Sequence, residues 1–319
     1  MPVVVGIGEV LWDLLPQGKR PGGAPANFVF HCGQLGVEPY LVSAIGDDDL
    51  GREMKNVLTD LAFNLTFLTT SKNDATSTVS VTLDQDRNPY YQIRDHVAWD
   101  TLSWSPQLER LARTADAVCF GSLAQRSLLT RETIHRFLDG AGPHCLRVFD
   151  VNLRKPYPDS AVLRDSLKKA TVVKLNEEEL DYLSRLLGLE GDTRQRMAEM
   201  IRQFDLSCLA LTRGAQGSIL MTGAETVDCP GIEVPVQDTV GAGDAFTAAL
   251  VVGWLRQWPL DEINVRAGHV AACVCSQAGA MVEFPAEVAG RYQTCGLPVR
   301  EYRQAPRGRE DRRQFETRS

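Results

Sequence analysis

The 319-residue sequence predicts an α/β protein: one central, mostly parallel sheet with helices on both faces, and a small β element set apart from it. Three observations lead there. Apolar, strand-like runs alternate with segments of helical spacing from the first residues onward. Most of those runs end in polar residues or glycine, and one stretch, Ala75 to Ile93, departs from the rule with a period of two.

Taken in order, "VVVGIGEVLWDLLP" begins as a buried strand, then alternates, and stops at Pro16. "QGKRPGG" reads as a turn, and the segment from Ala26 to Leu35 as a helix that halts at Gly36. "PYLVSAIG" is a strand, and "DDDLGREMKNVLTDLA" a helix whose acidic opening suits the positive end of the helix dipole. "TSTVSVTL", "DQDRN" and "PYYQI" form a hairpin with one wet face, which fits a lid, a dimer-forming flap or an ordinary edge hairpin. The parallel pattern resumes in "ADAVCFGSL", "LRVFDVN", "TVVKLN" and "LSCLALTRG". Their endings bring Gly121, Asp150, Asn152, Arg154, Lys174, Asn176, Thr212 and Gly214 to the edge of the sheet where open α/β folds bind ligands. After "QDTVGAGDAF" come two apolar helices, "AFTAALVVGWLRQ" and "NVRAGHVAACVCSQAGA". From Val299 the chain turns Arg-rich and loses its aliphatics, so residues 299–319 read as a charged, disordered tail.

Composition narrows the classes. Hydrophobic content of 44% and charged content of 24% describe a globular protein, and a net charge of −7 argues against a general nucleic-acid binder. No apolar run reaches the roughly 18 residues of a membrane span. "MPVVVGIGEV" lacks the basic region and cleavage site of a secretion signal, so a cytoplasmic protein without a membrane partner is expected. The eight cysteines show no Cys-x-x-Cys pair and read as reduced, mostly core residues.

Several strand endings point to phosphate. In "QDTVGAGDAF" the Gly241-Ala242-Gly243 turn offers main-chain N–H groups at a helix start, although Asp244 also fits plain helix capping. "LTRGAQG" places Thr212, Gly214 and Gly217 in a small-residue turn that a flat or charged ligand can approach. In "KLNEEEL", Asn176 and Glu179 share one face of a first helical turn, suited either to a hydrated Mg²⁺ or to a capping box. A Walker lysine is absent, and "GIGEVL" lacks the third glycine of a dinucleotide fingerprint, which counts against a dehydrogenase.

"GGAPANFVFHCGQLG", "SAIGDDDLG" and "DTVGAGDAF", with "DVNLRKPYP", "KLNEEEL" and "LTRGAQGS" between them in order, resemble the signature regions of the ribokinase-like, PfkB-type carbohydrate kinases across residues 3 to 290. "GEVLWDLLP", "GGAPAN" and "NLRKPYP" look most like fructokinases, while Ala24 stands where ribokinases usually carry Lys. The resemblance implies a ribokinase-like three-layer fold: a single kinase domain over 1–298, with β lid elements near 11–21 and 75–100. It implies Asp244 as catalytic base beside an anion hole of Gly241, Ala242 and Gly243. Asp13, Gly23 and Asn27 would hold the sugar, with Arg94 reaching over it from the lid. Arg154, Asn176, Thr212, Gly214 and Gly217 would serve ATP, Glu179 would serve Mg²⁺, and Asp238, Val240 and Gly279 a monovalent cation such as K⁺. A carboxylate of ordinary pKa suffices for such a base. The implied partner is a small sugar, with fructose ahead of 2-keto-3-deoxygluconate and nucleosides, and pairing of two copies through the lid is a further expectation. A sugar-binding sensor that has lost turnover is the alternative from another class.

Overall fold

The computed structural model describes residues 1–15, 18–83, 89–154 and 158–293. The stop at Pro16, the "DQDRN" turn, most of "KPYP", Cys295 and the tail over 299–319 lie outside the described residues.

The chain first lays down β1 (Val3–Ile7), then β2 (Leu11–Leu15) and β3 (Gly18–Gly22), and enters α1 (Ala24–Gln34). Next come β4 (Glu38–Gly46), α2 (Asp49–Asp60), β5 (Leu68–Ser71), β6 (Thr78–Leu83) and β7 (Pro89–Ile93). Strand–helix alternation follows: α3 (Pro106–Thr114), β8 (Ala117–Phe120), α4 (Leu128–Gly140), β9 (Leu146–Asp150), α5 (Ser160–Lys169) and β10 (Val172–Asn176). After α6 (Glu177–Leu187) and α7 (Thr193–Phe204) come β11 (Cys208–Thr212), β12 (Ser218–Met221) and β13 (Thr226–Cys229). The chain then closes with α8 (Ala242–Leu255), α9 (Leu260–Cys275) and α10 (Ala286–Gln293).

Among the described residues nine strands make the central sheet, in the order β13-β12-β11-β10-β9-β8-β1-β4-β5. The run from β11 to β5 is parallel throughout, while β12 and β13 add an antiparallel edge that the sequence did not announce. Side-chain alternation along the strands builds two cores. Val4, Cys119 and Val148 face α1, α2, α8, α9 and α10, whereas Val5, Phe120 and Phe149 face α3 to α7. The three-layer α/β expectation therefore holds.

A second sheet, of order β3-β2-β6-β7, stands apart. It corrects two readings. The single run "VVVGIGEVLWDLLP" is split at Gly8–Val10, so that β1 enters the core sheet and β2 the small one. "KRPG", read as turn, is strand: β3 pairs with β2 in the register Asp13↔Arg20, and Pro21 is tolerated because β3 is an edge. Asp48 secures the small sheet to the core: its carboxylate caps α2 at Gly51 N (2.7 Å) and accepts from Thr76 N (2.8 Å) and Thr76 Oγ1 (2.6 Å).

Candidate active site

The helices α1 and α8 pack together and start at the same end of the molecule, beside the carboxyl ends of β1, β9 and β10. Gly241 is the N-cap of α8 at φ 80°, ψ −8°, and no side chain caps the helix. A Cβ on Gly241 would stand 2.8 Å from Ala280 Cα, so glycine is required by packing as well as by its left-handed backbone. Asp244 sits in the first turn but does not cap it. Its Oδ2 instead accepts a hydrogen bond from Asn27 Nδ2 at 2.8 Å. Asn27 is buried, and its Oδ1 has no partner within the protein. An orphaned acceptor next to a carboxylate is an invitation to a hydroxyl-bearing ligand.

Behind this pair lies a buried charge network. Lys174 Nζ meets Asp150 Oδ1 at 3.1 Å, and Thr247 Oγ1 lies 2.9 Å from both Asp150 Oδ2 and the Gly243 carbonyl. Lys174 Nζ would be 2.8 Å from a Cβ on Gly243, so the ammonium rests directly under the glycine turn. Burial works against its charge, but Asp150, Glu179 and Asp244 outweigh that and raise the Lys174 pKa. Asp244 keeps part of its surface open to the cleft, yet burial, then the Asp150 charge, pushes its pKa up to about 7 against the pull of Asn27, Lys174 and Arg154. An ordinary carboxylate would suffice, and a base poised near neutrality needs less driving force from its surroundings.

Asp13 projects from β2, with burial pushing its pKa up to about 6 against the charge of Arg154. Gly23, the N-cap of α1, passes so close to the link between β1 and β2 that a Cβ would lie 2.6 Å from the Glu9 carbonyl oxygen. The Glu9 carboxyl is itself buried, with one oxygen unpartnered, and burial raises its pKa against Arg154 and Arg126. Arg154 thus acts electrostatically on three acids, Glu9, Asp13 and Asp244.

On the other flank, Asn176 and Thr212 are direct partners across β10 and β11, so two of the expected nucleotide residues end adjacent strands side by side. Asn176 and Glu179 form a capping box, and the second Glu179 oxygen accepts from Leu153 N at 2.9 Å. Both oxygens of that carboxylate therefore already meet backbone N–H groups. Gly214 and Gly217, each at positive φ, bracket the short turn between β11 and β12.

A model of the pfkB family carbohydrate kinases matches residues 16–287. The chain belongs to that family. An uncharacterized sugar kinase of Pyrococcus horikoshii is 31% identical over 297 residues, 87% of this chain and 91% of that one. Its crystal structure superimposes with a TM-score of 0.75, covering 88% and 93% of the two chains. An aminoimidazole riboside kinase of Salmonella typhimurium is also 31% identical, over 88% of this chain and 91% of its own. A fructokinase of Klebsiella pneumoniae is 29% identical over 88% and 95%. The fructokinase of Vibrio cholerae, solved with fructose, ADP and potassium, is 25% identical with a TM-score of 0.74 over 91% and 98%.

In this family member the remaining expected residues fall less simply. Arg94 is exposed just beyond β7, and its backbone is held: its N–H donates to Thr78 O (3.1 Å) and its carbonyl accepts from Arg126 Nη2 (2.7 Å). Arg126 is the anchored arginine. It grips Asp100 in a fork (2.9 and 2.8 Å), reaches Asp95 at 3.1 Å, and lies 4.1 Å above the Trp99 ring. Asp238 binds Val240 N through Oδ1 (3.0 Å) and Gly279 N through Oδ2 (3.1 Å), which gathers the three residues expected around a monovalent cation. The guanidinium of Arg20 also lies at Asp238, with Nη1 3.7 Å from Oδ2. Sequence reading had marked Asp150 and Lys174 as strand endings without giving them a role, and it missed Glu9, Arg20, Arg126 and Thr247. For Glu9, Arg20 and Thr247 the sequence signal was a place near a strand end or a signature glycine, and Arg126 carried neither.

Proposed function

We propose that this sugar kinase transfers the γ-phosphoryl group of ATP to a hydroxyl of a neutral monosaccharide, with fructose the first candidate. The observation that carries the reading is the Asn27–Asp244 pair at the uncapped glycine turn of α8. Asn27 Oδ1 and Asp13 accept from ring hydroxyls and orient the sugar, and Asp244 takes the proton of the attacking one. The N–H groups of Gly241 and Gly243 face the oxygens of the transferred group, the Ala242 N–H being already turned to Thr239 O (3.3 Å), and Lys174 beneath the turn adds fixed positive charge.

Three exposed apolar residues, Ile232, Val236 and Val240, lead into α8 and offer a face for a nucleotide base. Among the described residues no group of three or more His, Cys, Asp and Glu is placed to hold a metal ion. Mg²⁺ would arrive on the nucleotide phosphates and be contacted through water by Glu179, whose two oxygens already meet Leu153 N and Asn176 N. When bound, Mg²⁺ would neutralise charge on those phosphates.

Fructose is favoured by the "GEVLWDLLP" and "GGAPAN" stretches and by the fructokinase relatives. A sugar acid such as 2-keto-3-deoxygluconate would meet Glu9, Asp13 and Asp244 with chiefly Arg154 to offset them, which disfavours it. A nucleoside acceptor is the second reading, favoured by the riboside kinase relative at 31% identity. The catalytically silent sensor is disfavoured by the poised Asp244. A coupled ADP-release screen over ketoses, aldoses, sugar acids and nucleosides separates these outcomes, and silence on every acceptor together with tight sugar binding by calorimetry would leave the sensor. Pairing of two copies is expected along the outer strands of the small sheet, β3 and β7, and sedimentation equilibrium tests it.

A further inference from the structure

The locus expected for a monovalent cation is already supplied with donors. A K⁺ site is built from oxygens, but both Asp238 oxygens here are turned to backbone N–H groups, of Val240 and Gly279, and one of them faces the Arg20 guanidinium. The surroundings still demand positive charge. Gln237 N and Asp238 N donate to Cys275 O, so Asp238 stands at the C-terminal, negative end of α9. Arg20 meets that demand from another sheet. Its side chain crosses Gly279, where a Cβ would lie 3.3 Å from Nη1, and the left-handed φ of 101° at Gly279 keeps the crossing open.

We propose that Arg20 is a built-in replacement for the monovalent cation and a positioning residue for the anion hole. Arg20 lies directly opposite Asp13 in the β2–β3 register, so both project from one face of the small sheet. Its guanidinium pairs with Asp238 at 3.7 Å, three residues before Gly241, and the neighbouring Gly279–Ala280 segment packs on Gly241. Arg20 therefore joins the sheet that carries the sugar acceptor to the turn that receives the phosphoryl group. The pair is half-exposed, with 43% and 25% of the two side chains accessible, so its role is geometric alignment more than fold stability.

The inference goes beyond the kinase reading, and its test has an arm that needs no turnover. In the first arm the melting temperature of the full chain is measured in KCl and in choline chloride at equal ionic strength. The same value in both salts is expected, and a K⁺-specific rise of more than about 2 °C overturns the proposal whether or not an acceptor is known. In the second arm ADP release is measured in the same salts for the wild type, Arg20→Ala and Arg20→Lys. The wild type is expected to be indifferent to K⁺, Arg20→Ala to lose about ten- to a hundredfold in kcat with little change in KM, and Arg20→Lys to recover most of that loss. Activation of the wild type by K⁺ of about tenfold or more, or full kcat in Arg20→Ala, overturns it.

Discussion

Asn27 Nδ2 donates to Asp244 Oδ2 at 2.8 Å, joining the first turns of two helices that are 217 residues apart in sequence. The bond orients the carboxylate and favours its charged form, while burial and Asp150 press toward the neutral form. The balance leaves Asp244 at about 7.

Activity is therefore expected to follow pH near neutrality. The base works only when deprotonated, so kcat/KM rises as pH climbs through about 7 and levels above it. A pH–rate profile that is flat from 5 to 8, as for an ordinary carboxylate, would speak against the assignment.

Asn27→Leu removes a hydrogen bond that lowers the Asp244 pKa, so the rising limb of that profile moves to higher pH, by about one to two units. KM for the sugar rises as well, because the Oδ1 acceptor is gone.

Asp244 also bears on stability. The unfolded carboxyl ionises near 3.8, whereas the folded one holds its proton to about 7. Between those values the unfolded state binds fewer protons, so this group lowers stability as pH rises through that window. Asp244→Asn escapes the loss: it melts above the wild type at pH 8, and the gap closes toward pH 4. Thermal melts across pH read this directly.

Lys174→Met leaves Asp150 buried without its cation. A loss of about 3–5 kcal/mol in denaturant unfolding is expected, together with a fall in kcat from the turn above it.

Asp48→Ala breaks the cap of α2 at Gly51 N and two hydrogen bonds from Thr76 that join α2 to the approach of the small sheet, and costs about 1–3 kcal/mol at neutral pH. Burial opposes the charge, but the Thr76 and Gly51 donors hold the Asp48 pKa below its usual value. Its contribution is therefore present above about pH 4 and fades as pH falls through the folded value, so the variant and the wild type converge in acid.

What the sequence revealed and what it concealed divide along chain distance. The parallel sheet was legible because each strand carries its own apolar run, and Asp244, Asn27 and the Gly241 turn because each lies in a contiguous signature. Strand β3 was not: Gly18, Pro21 and Gly22 all argue for a turn, and only pairing with β2 makes an edge strand of them. The Lys174–Asp150–Thr247 network and the Arg20–Asp238 pair escaped because each joins residues from distant elements, and no local period or spacing records such a meeting. Glu179 shows the reverse. Its capping box was readable in "NEEE", but not its bond to Leu153 N, which ties that box to the end of the neighbouring strand.

The most direct test of the central claim is ADP release at pH 8 by the wild type and by Asp244→Asn, across the acceptor panel at saturating ATP. The account predicts turnover by the wild type on at least one monosaccharide or nucleoside, and a loss of about a thousandfold in kcat for a variant that still binds that acceptor. A variant that keeps its rate within about threefold would contradict it.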